Sequence, residues 1–208
     1  MYRKVGKRIC DIMITSIAII LIFPIGLIIA LLIKIESKGN ILYIQHRVGK
    51  NNKDFKILKF RTMTTNADKQ GLLTIGEKDN RVTKIGYYLR KFKLDELPQL
   101  INILIGEMSI VGPRPEVRYY VNYYNETQMK VLSVLPGLTD LASIAYIDEN
   151  RILAQSENPQ ETYIKKIMPH KLSLNAKYIE NISLKNDLSI IWQTLRKIIN
   201  NSDEQNTK

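Results

Sequence analysis

Between Ile12 and Ile33 the chain carries no charged side chain and is mainly aliphatic. About 22 such residues at ~1.5 Å each suffice to cross a hydrocarbon core of ~30 Å, so the run predicts contact with a membrane. Pro24 interrupts it near the middle, with Gly26 just behind. A proline inside a helix removes a backbone hydrogen bond and favours a bend there. Arg3, Lys4, Lys7 and Arg8 precede the run, and Lys34 and Lys38 follow it. Basic flanks stay on the cytoplasmic side, so both ends are drawn to the same face, which favours a helix–break–helix that enters and returns. A single-pass anchor is the competing reading. A secretory signal peptide is disfavoured, because the run is too long and no small-residue cleavage site follows it. Asp11, at the edge of the run, is expected to stay at headgroup level, paired with Lys7 or Arg8.

The 208 residues allow one domain with an appendage, and a 45% hydrophobic content is enough for a core. With 31 basic and 20 acidic residues the net charge is +11, which argues for an anionic partner. The one cysteine, Cys10, excludes an internal disulfide and a thiolate cluster, and the two scattered histidines, His46 and His170, argue against a zinc site. A metal here is expected to be held by oxygen.

Residues 41–48 and 55–63 are β-rich and joined by Gly49-Lys50-Asn51-Asn52-Lys53, which predicts a hairpin. Its second run interleaves basic and apolar residues, with Lys56 and Lys59 on opposite faces. No recognised nucleic-acid motif accompanies this ribbon, so no nucleic-acid partner is assigned. From Asp79 to Lys91 a turn leads into a short helix with Val82, Ile85 and Leu89 on one face.

The segment Leu94-Asp95-Glu96-Leu97-Pro98-Gln99-Leu100 sets two adjacent carboxylates before a helical pattern, Leu97, Leu100, Ile101 and Leu104. Pro98 suits a first turn, and Asp95 then falls near the N-cap, where free N–H groups and the helix dipole would keep it ionised. Such a carboxylate can be a nucleophile, a metal ligand or only a cap. Arg90 lies five residues upstream, within reach of an anion held there. Downstream, Gly112-Pro113-Arg114-Pro115 braces an arginine between two prolines, which pre-organises it for a phosphate.

In the C-terminal third, residues 116–135 read as a helix bearing Tyr119, Tyr120, Tyr123 and Tyr124. Asn158-Pro159-Gln160-Glu161 reads as a helix start, with Pro169 separating that helix from the next. A last amphipathic segment, 184–199, contains Trp192, Leu195 and Ile198. Packing on the core, resting on a membrane and joining two copies as a homodimer are all open to it.

Four stretches in order, Lys59-Phe60-Arg61-Thr62-Met63, then 79–86, then 94–100, then Gly106-Glu107-Met108-Ser109-Ile110-Val111-Gly112-Pro113-Arg114-Pro115, closely resemble the bacterial sugar transferase family, the monotopic phosphoglycosyl transferases. The likeness runs from the N-terminus to Pro136-Gly137-Leu138-Thr139, about two-thirds of the chain. It implies an α+β protein: an N-terminal re-entrant membrane helix (1–36, with Lys7, Arg8 and Pro24 as its membrane-facing landmarks), a compact, mainly helical cytoplasmic catalytic domain with a small β-hairpin (37–199), and a polar tail (200–208). It further implies transfer of a sugar-1-phosphate from a UDP-sugar to a membrane polyprenyl phosphate, with release of UMP, at the cytoplasmic face of a bacterial membrane.

On this resemblance Asp95 is the covalent nucleophile and Glu96 the ligand of a Mg²⁺ cofactor. Arg90 and Arg114 bind substrate phosphate, with Lys59 and Arg61 as further members of the anionic pocket. Two departures stand out. Phe23 occupies the position before the proline where many relatives have serine, and Asp140-Leu141-Ala142-Ser143-Ile144 replaces a glycine- and tryptophan-containing stretch. The sugar is therefore not carried over. The alternative from another class is a non-catalytic membrane-anchored module that binds nucleotides or anionic polymers.

Overall fold

The computed structural model describes residues 2–64 and 79–204. After a wide turn at Tyr2–Gly6, helix α1 runs from Lys7 to Glu36. The expected break at Pro24 is absent: the helix continues through the proline as a single 30-residue element. One stripe of α1 meets the globular part along its whole length. Lys7 pairs with Asp187 at 2.6 Å. Arg8 donates to the carbonyls of Ile103 and Leu104. Ala18, Ile19 and Ile22 pack near Ile57, Leu100, Ile103 and Met108. Ile29 and Ile33 pack with Phe60 and Leu89, and Glu36 accepts from the backbone N–H of Ile85 at 3.1 Å. The opposite arc is bare and apolar, with Ile20 and Ile35 each 74% exposed.

Asp11 corrects the expectation set for it. It is only 4% exposed and accepts hydrogen bonds from Ser109 Oγ at 2.7 Å and from the backbone N–H of Ile110 at 3.1 Å. Lys7 and Arg8 turn to other partners. A buried carboxylate is stable when hydrogen bonds replace its water, and Ser109-Ile110 supply them here.

Strands β1 (Leu42–Val48) and β2 (Asp54–Phe60) form the expected antiparallel hairpin, with Leu42 opposite Phe60 and Val48 opposite Asp54. Its connection is a 3-10 turn at Lys50–Asn52, with Asn51 and Asn52 in the left-handed region that asparagine tolerates. The edge of β2 is covered by Asn102, whose carboxamide accepts from Leu58 N and donates to Lys56 O. That satisfies strand groups that an open edge would leave unpaired.

Helix α2 (Lys84–Lys91) is capped by Thr83, whose hydroxyl accepts from Gly86 N. Gly86 lies so close to Thr62 that a Cβ would sit 2.1 Å from its carbonyl oxygen. Helix α3 spans Gln99–Ile105. The short strands β3 (Ser109–Val111) and β4 (Gly137–Thr139) pair in parallel. Gly112 and Gly137 are in backbone contact, and a Cβ on Gly137 would fall 2.1 Å from Gly112 N.

Residues 116–135 are not one helix. They break into α4 (Arg118–Val121), α5 (Glu126–Met129) and a 3-10 turn at Lys130–Ser133. Asn125 and Gln128 form a reciprocal capping box that restarts the chain. Tyr120 is buried against Tyr163, whereas Tyr119 and Tyr123 face outward with their hydroxyls 3.2 Å apart.

Helices α6 (Leu141–Ala145) and α7 (Glu149–Ala154) follow, and then α8 (Pro159–Thr162), capped by Asn158 as expected. Pro169 does not separate two helices. A wide π turn at Tyr163–Ile167 joins α8 to α9 (Met168–Glu180), placing the proline in the first turn of α9. Helix α10 extends from Leu184 to Glu204, past the start of the expected tail, and residues 205–208 lie outside the described residues. Ile190 of α10 is buried with Val111 and Tyr178, while Leu188, Trp192 and Leu195 are exposed.

Candidate active site

The acidic pair sits in a 3-10 turn of its own, Leu94–Glu96, between α2 and α3. Lys93 makes this turn possible. With φ 56° it adopts the left-handed conformation, which ends α2 and redirects the chain. Pro98 then takes the position just before α3. Asp95 is therefore not the cap of α3, and no helix end holds its charge.

Glu96 and Asp95 are both buried but differently served. Glu96 Oε1 accepts from Lys59 Nζ at 3.1 Å and Oε2 from Arg114 Nη1 at 3.1 Å, with a further bond from Arg114 Nη2 to Oε1. Burial pushes the Glu96 carboxyl up, but Arg114 and Lys59 more than offset this and hold it well below the ordinary carboxylate range. Asp95 Oδ1 has no hydrogen-bond partner among the described residues. Burial, and then the charge of Glu96, push its carboxyl up, against a smaller opposing pull from Lys59, Lys93 and Arg90. The expected helix-end ionisation is thus replaced by a poorly solvated carboxyl beside a paired one.

The surrounding cations are fixed by the fold. Arg114 donates its backbone N–H to Asp140 Oδ2 at 3.0 Å, and Asp140 Oδ1 accepts from Ser143 N at 2.6 Å, so the cap of α6 also positions the arginine. Arg90 Nε donates to Thr62 Oγ1 at 2.9 Å. Burial lowers the pKa of Arg90, and the charge of Asp95 opposes this. Burial likewise lowers Lys59, against the pull of Glu96. Arg61 lines the same cavity as the pair but bonds elsewhere: its guanidinium donates to the carbonyls of Ser37 and Lys38 and to Ser37 Oγ, tying the end of α1 to the hairpin.

Lys59, Arg90, Asp95, Glu96 and Arg114 line one open cavity of about 1260 Å³. Its walls also come from α6, α9 and α10, through residues including Ser143, Asn175 and Ile191. Asn175 was not singled out by sequence reasoning, and Asp140 was named only as the start of a departure from the family's pattern. Asp140 carried a usable signal, an aspartate before a helical pattern. Asn175 carried another, being a polar residue in the apolar series Met168, Leu172, Asn175, Tyr178 of α9. Among the described residues no group of three or more His, Cys, Asp or Glu side chains is placed to hold a metal.

A family model described as bacterial sugar transferase matches residues 2–201. A UDP-N-acetylgalactosamine-undecaprenyl-phosphate N-acetylgalactosaminephosphotransferase of Aeromonas hydrophila is 38% identical over 196 residues, covering 93% of this chain and 43% of that protein. A UDP-glucose:undecaprenyl-phosphate glucose-1-phosphate transferase of Klebsiella pneumoniae is also 38% identical, covering 93% of this chain and 40% of that protein. Exopolysaccharide production protein ExoY of Rhizobium meliloti is 35% identical over 205 residues, covering 84% of its length. The chain thus spans about two-fifths of the first two relatives. Those two share one level of identity and bear names with different sugars.

Proposed function

This chain belongs to the bacterial sugar transferase family, and on that premise we propose that it transfers a sugar-1-phosphate from a UDP-sugar to a polyprenyl phosphate. The observation that carries this reading is the unequal carboxylate pair. Asp95 has a buried oxygen with no partner among the described residues, and Glu96 beside it is paired with Lys59 and Arg114. A carboxylate stripped of water and hydrogen bonds is a better nucleophile than a solvated one.

In the first step an Asp95 oxygen attacks the β-phosphorus of the UDP-sugar. The bond from that phosphorus to the bridging oxygen breaks, UMP leaves with the bridging oxygen, and the phosphosugar stays on Asp95. In the second step a phosphate oxygen of the lipid attacks the same phosphorus and returns the Asp95 carboxylate. Arg114, Arg90 and Lys59 offer positive charge to the oxygens on which charge develops.

The acid pair suits magnesium in the chemistry of its donors, since this ion takes one or two carboxylates and completes its shell with water and substrate phosphate. Glu96 is the residue that would hold it, through Oε2, which accepts one hydrogen bond, from Arg114. When bound, Mg²⁺ neutralises diphosphate charge that would repel a carboxylate. A panel of UDP-sugars supplied with polyprenyl phosphate and Mg²⁺ should identify a donor that releases UMP catalytically, and should give about one UMP per enzyme when the lipid is omitted. No release with any donor would leave the nucleotide-binding module as the better reading.

The same reading has both ends of α1 on the cytoplasmic face. Its support is the stripe of contacts from Lys7 to Glu36. A helix held at both ends by one globular body cannot deliver those ends to opposite sides of a bilayer, while its bare arc suits lipid. Cysteines placed at Arg3 and Lys38, with Cys10 replaced by serine, should both be labelled by an impermeant reagent only after the cells are opened. Labelling of one of them in intact cells would refute the arrangement.

A further inference from the structure

The cavity that holds the acid pair also takes in the inward face of α9, an element that supplies none of the cations around Glu96. Asn175 lies on that face. It is 4% exposed, lines the cavity, and its Oδ1 has no hydrogen-bond partner among the described residues. Ser143 of α6, the helix packed on α9, lines the same cavity, and its Oγ is likewise buried without a partner there. An amide oxygen in such a place is less favourable than a leucine of similar volume unless a ligand supplies a hydrogen.

The chemistry of Oδ1 restricts what that ligand is. A carbonyl oxygen accepts and cannot donate, so it cannot satisfy an ionised phosphate, which presents only acceptors. A polyprenyl phosphate offers hydrocarbon and phosphate. A nucleotide sugar adds neutral N–H and O–H groups on its base, ribose and sugar. Resting on the transferase reading above, we propose that Asn175 is a specificity-determining residue for the donor, its Oδ1 accepting a hydrogen bond from a neutral N–H or O–H of the nucleoside or sugar, with Ser143 as its neighbour in the same subsite. Asn175 thereby contacts the donor and makes no contact with the lipid. Apolar neighbours such as Ile144, Leu172 and Ile191 complete the subsite, as in pockets where a few polar groups set orientation.

The full chain carrying Asn175→Leu tests this against the wild type, with the UDP-sugar that supports turnover and with polyprenyl phosphate. The expected result is an apparent KM for the donor raised at least about tenfold, an unchanged KM for the lipid, and a melting temperature unchanged or higher. Inhibition by UMP separates the two sources of the hydrogen. Weakening in parallel with the donor KM assigns it to the nucleoside, and unaltered UMP inhibition assigns it to the sugar. An unchanged donor KM, or equal rises for donor and lipid, overturns the proposal. Should the leucine variant fail to fold, Asn175→Ala is read in its place, with the same outcomes deciding. Absence of turnover in the wild type is a different failure, that of the transferase reading itself.

Discussion

Asp95→Asn is expected to abolish UMP release, with a loss on the order of 10³ or more, and at the same time to raise the melting temperature at neutral pH. The two effects share one cause. Asp95 is buried with an unpartnered oxygen, and burial and Glu96 raise its pKa above the ordinary value. A carboxyl whose folded pKa lies above its unfolded one favours folding fully below the unfolded pKa, and that contribution is lost as pH rises through the folded value. At neutral pH the charged form therefore opposes folding, and the neutral amide relieves the penalty. A gain of about 1 kcal/mol corresponds to roughly 2–4 °C for a chain of this size. The advantage should shrink as pH falls toward the unfolded carboxylate pKa, where aspartate is protonated in both states. Thermal unfolding of both proteins from neutral to acidic pH measures this. A mutant that turns over normally, or one less stable at pH 7 than the parent, would sink the assignment of Asp95 as a strained nucleophile.

Arg114→Leu should act in the opposite sense on stability. Arg114 makes two hydrogen bonds to Glu96, and its side chain is 30% exposed, so the pair is only partly screened by water. Removing it leaves Glu96 with Lys59 alone, at a cost of about 2 kcal/mol. Here the folded pKa is depressed, so the stabilisation is present above the unfolded carboxylate pKa and lost as pH falls through the folded one. The difference between mutant and wild type should be full at pH 7 and should fade in acid. Transfer should fall by about 10²–10³, the effect of removing a donor aimed at developing charge. Arg114→Lys should restore part of the stability and less of the rate, because an ammonium cannot reproduce the guanidinium fork. Activity within a few-fold of wild type in the leucine variant would remove Arg114 from the phosphate site.

Local signals in the sequence were reliable where the structure is local. The hairpin of β1 and β2, the helix after Thr83 and the cap at Asn158 all follow from turn chemistry and periodicity within a dozen residues. The apolar length of α1 was equally plain, but its unbroken course through Pro24 was not, because packing along one stripe outweighs a local helix-breaking tendency. The division of residues 116–135 was marked by Asn125 and Gln128, a capping box inside what looked like one helix. The setting of Asp95 was hidden for a different reason. Pattern alone does not reveal that Lys93 takes a left-handed conformation, and without that turn the acid pair looks like an ordinary helix start. The partners of Asp11 lie 98 and 99 residues away in sequence, beyond the reach of any periodicity.

The clasp between α1 and α10 has a consequence for how the protein is made. Asp187 receives hydrogen bonds from Tyr2, Lys7 and Tyr178, joining residues up to 185 positions apart. During synthesis α1 emerges well before the residues that close over its inner stripe, and Asp187 lies about 150 residues behind its end. Contacts of such long range form slowly and leave apolar surface open to aggregation in the meantime. On the membrane-bound reading proposed above, lipid would shelter the outer arc of α1 from the start, and the bilayer would serve the nascent chain as a holding surface until α10 locks α1.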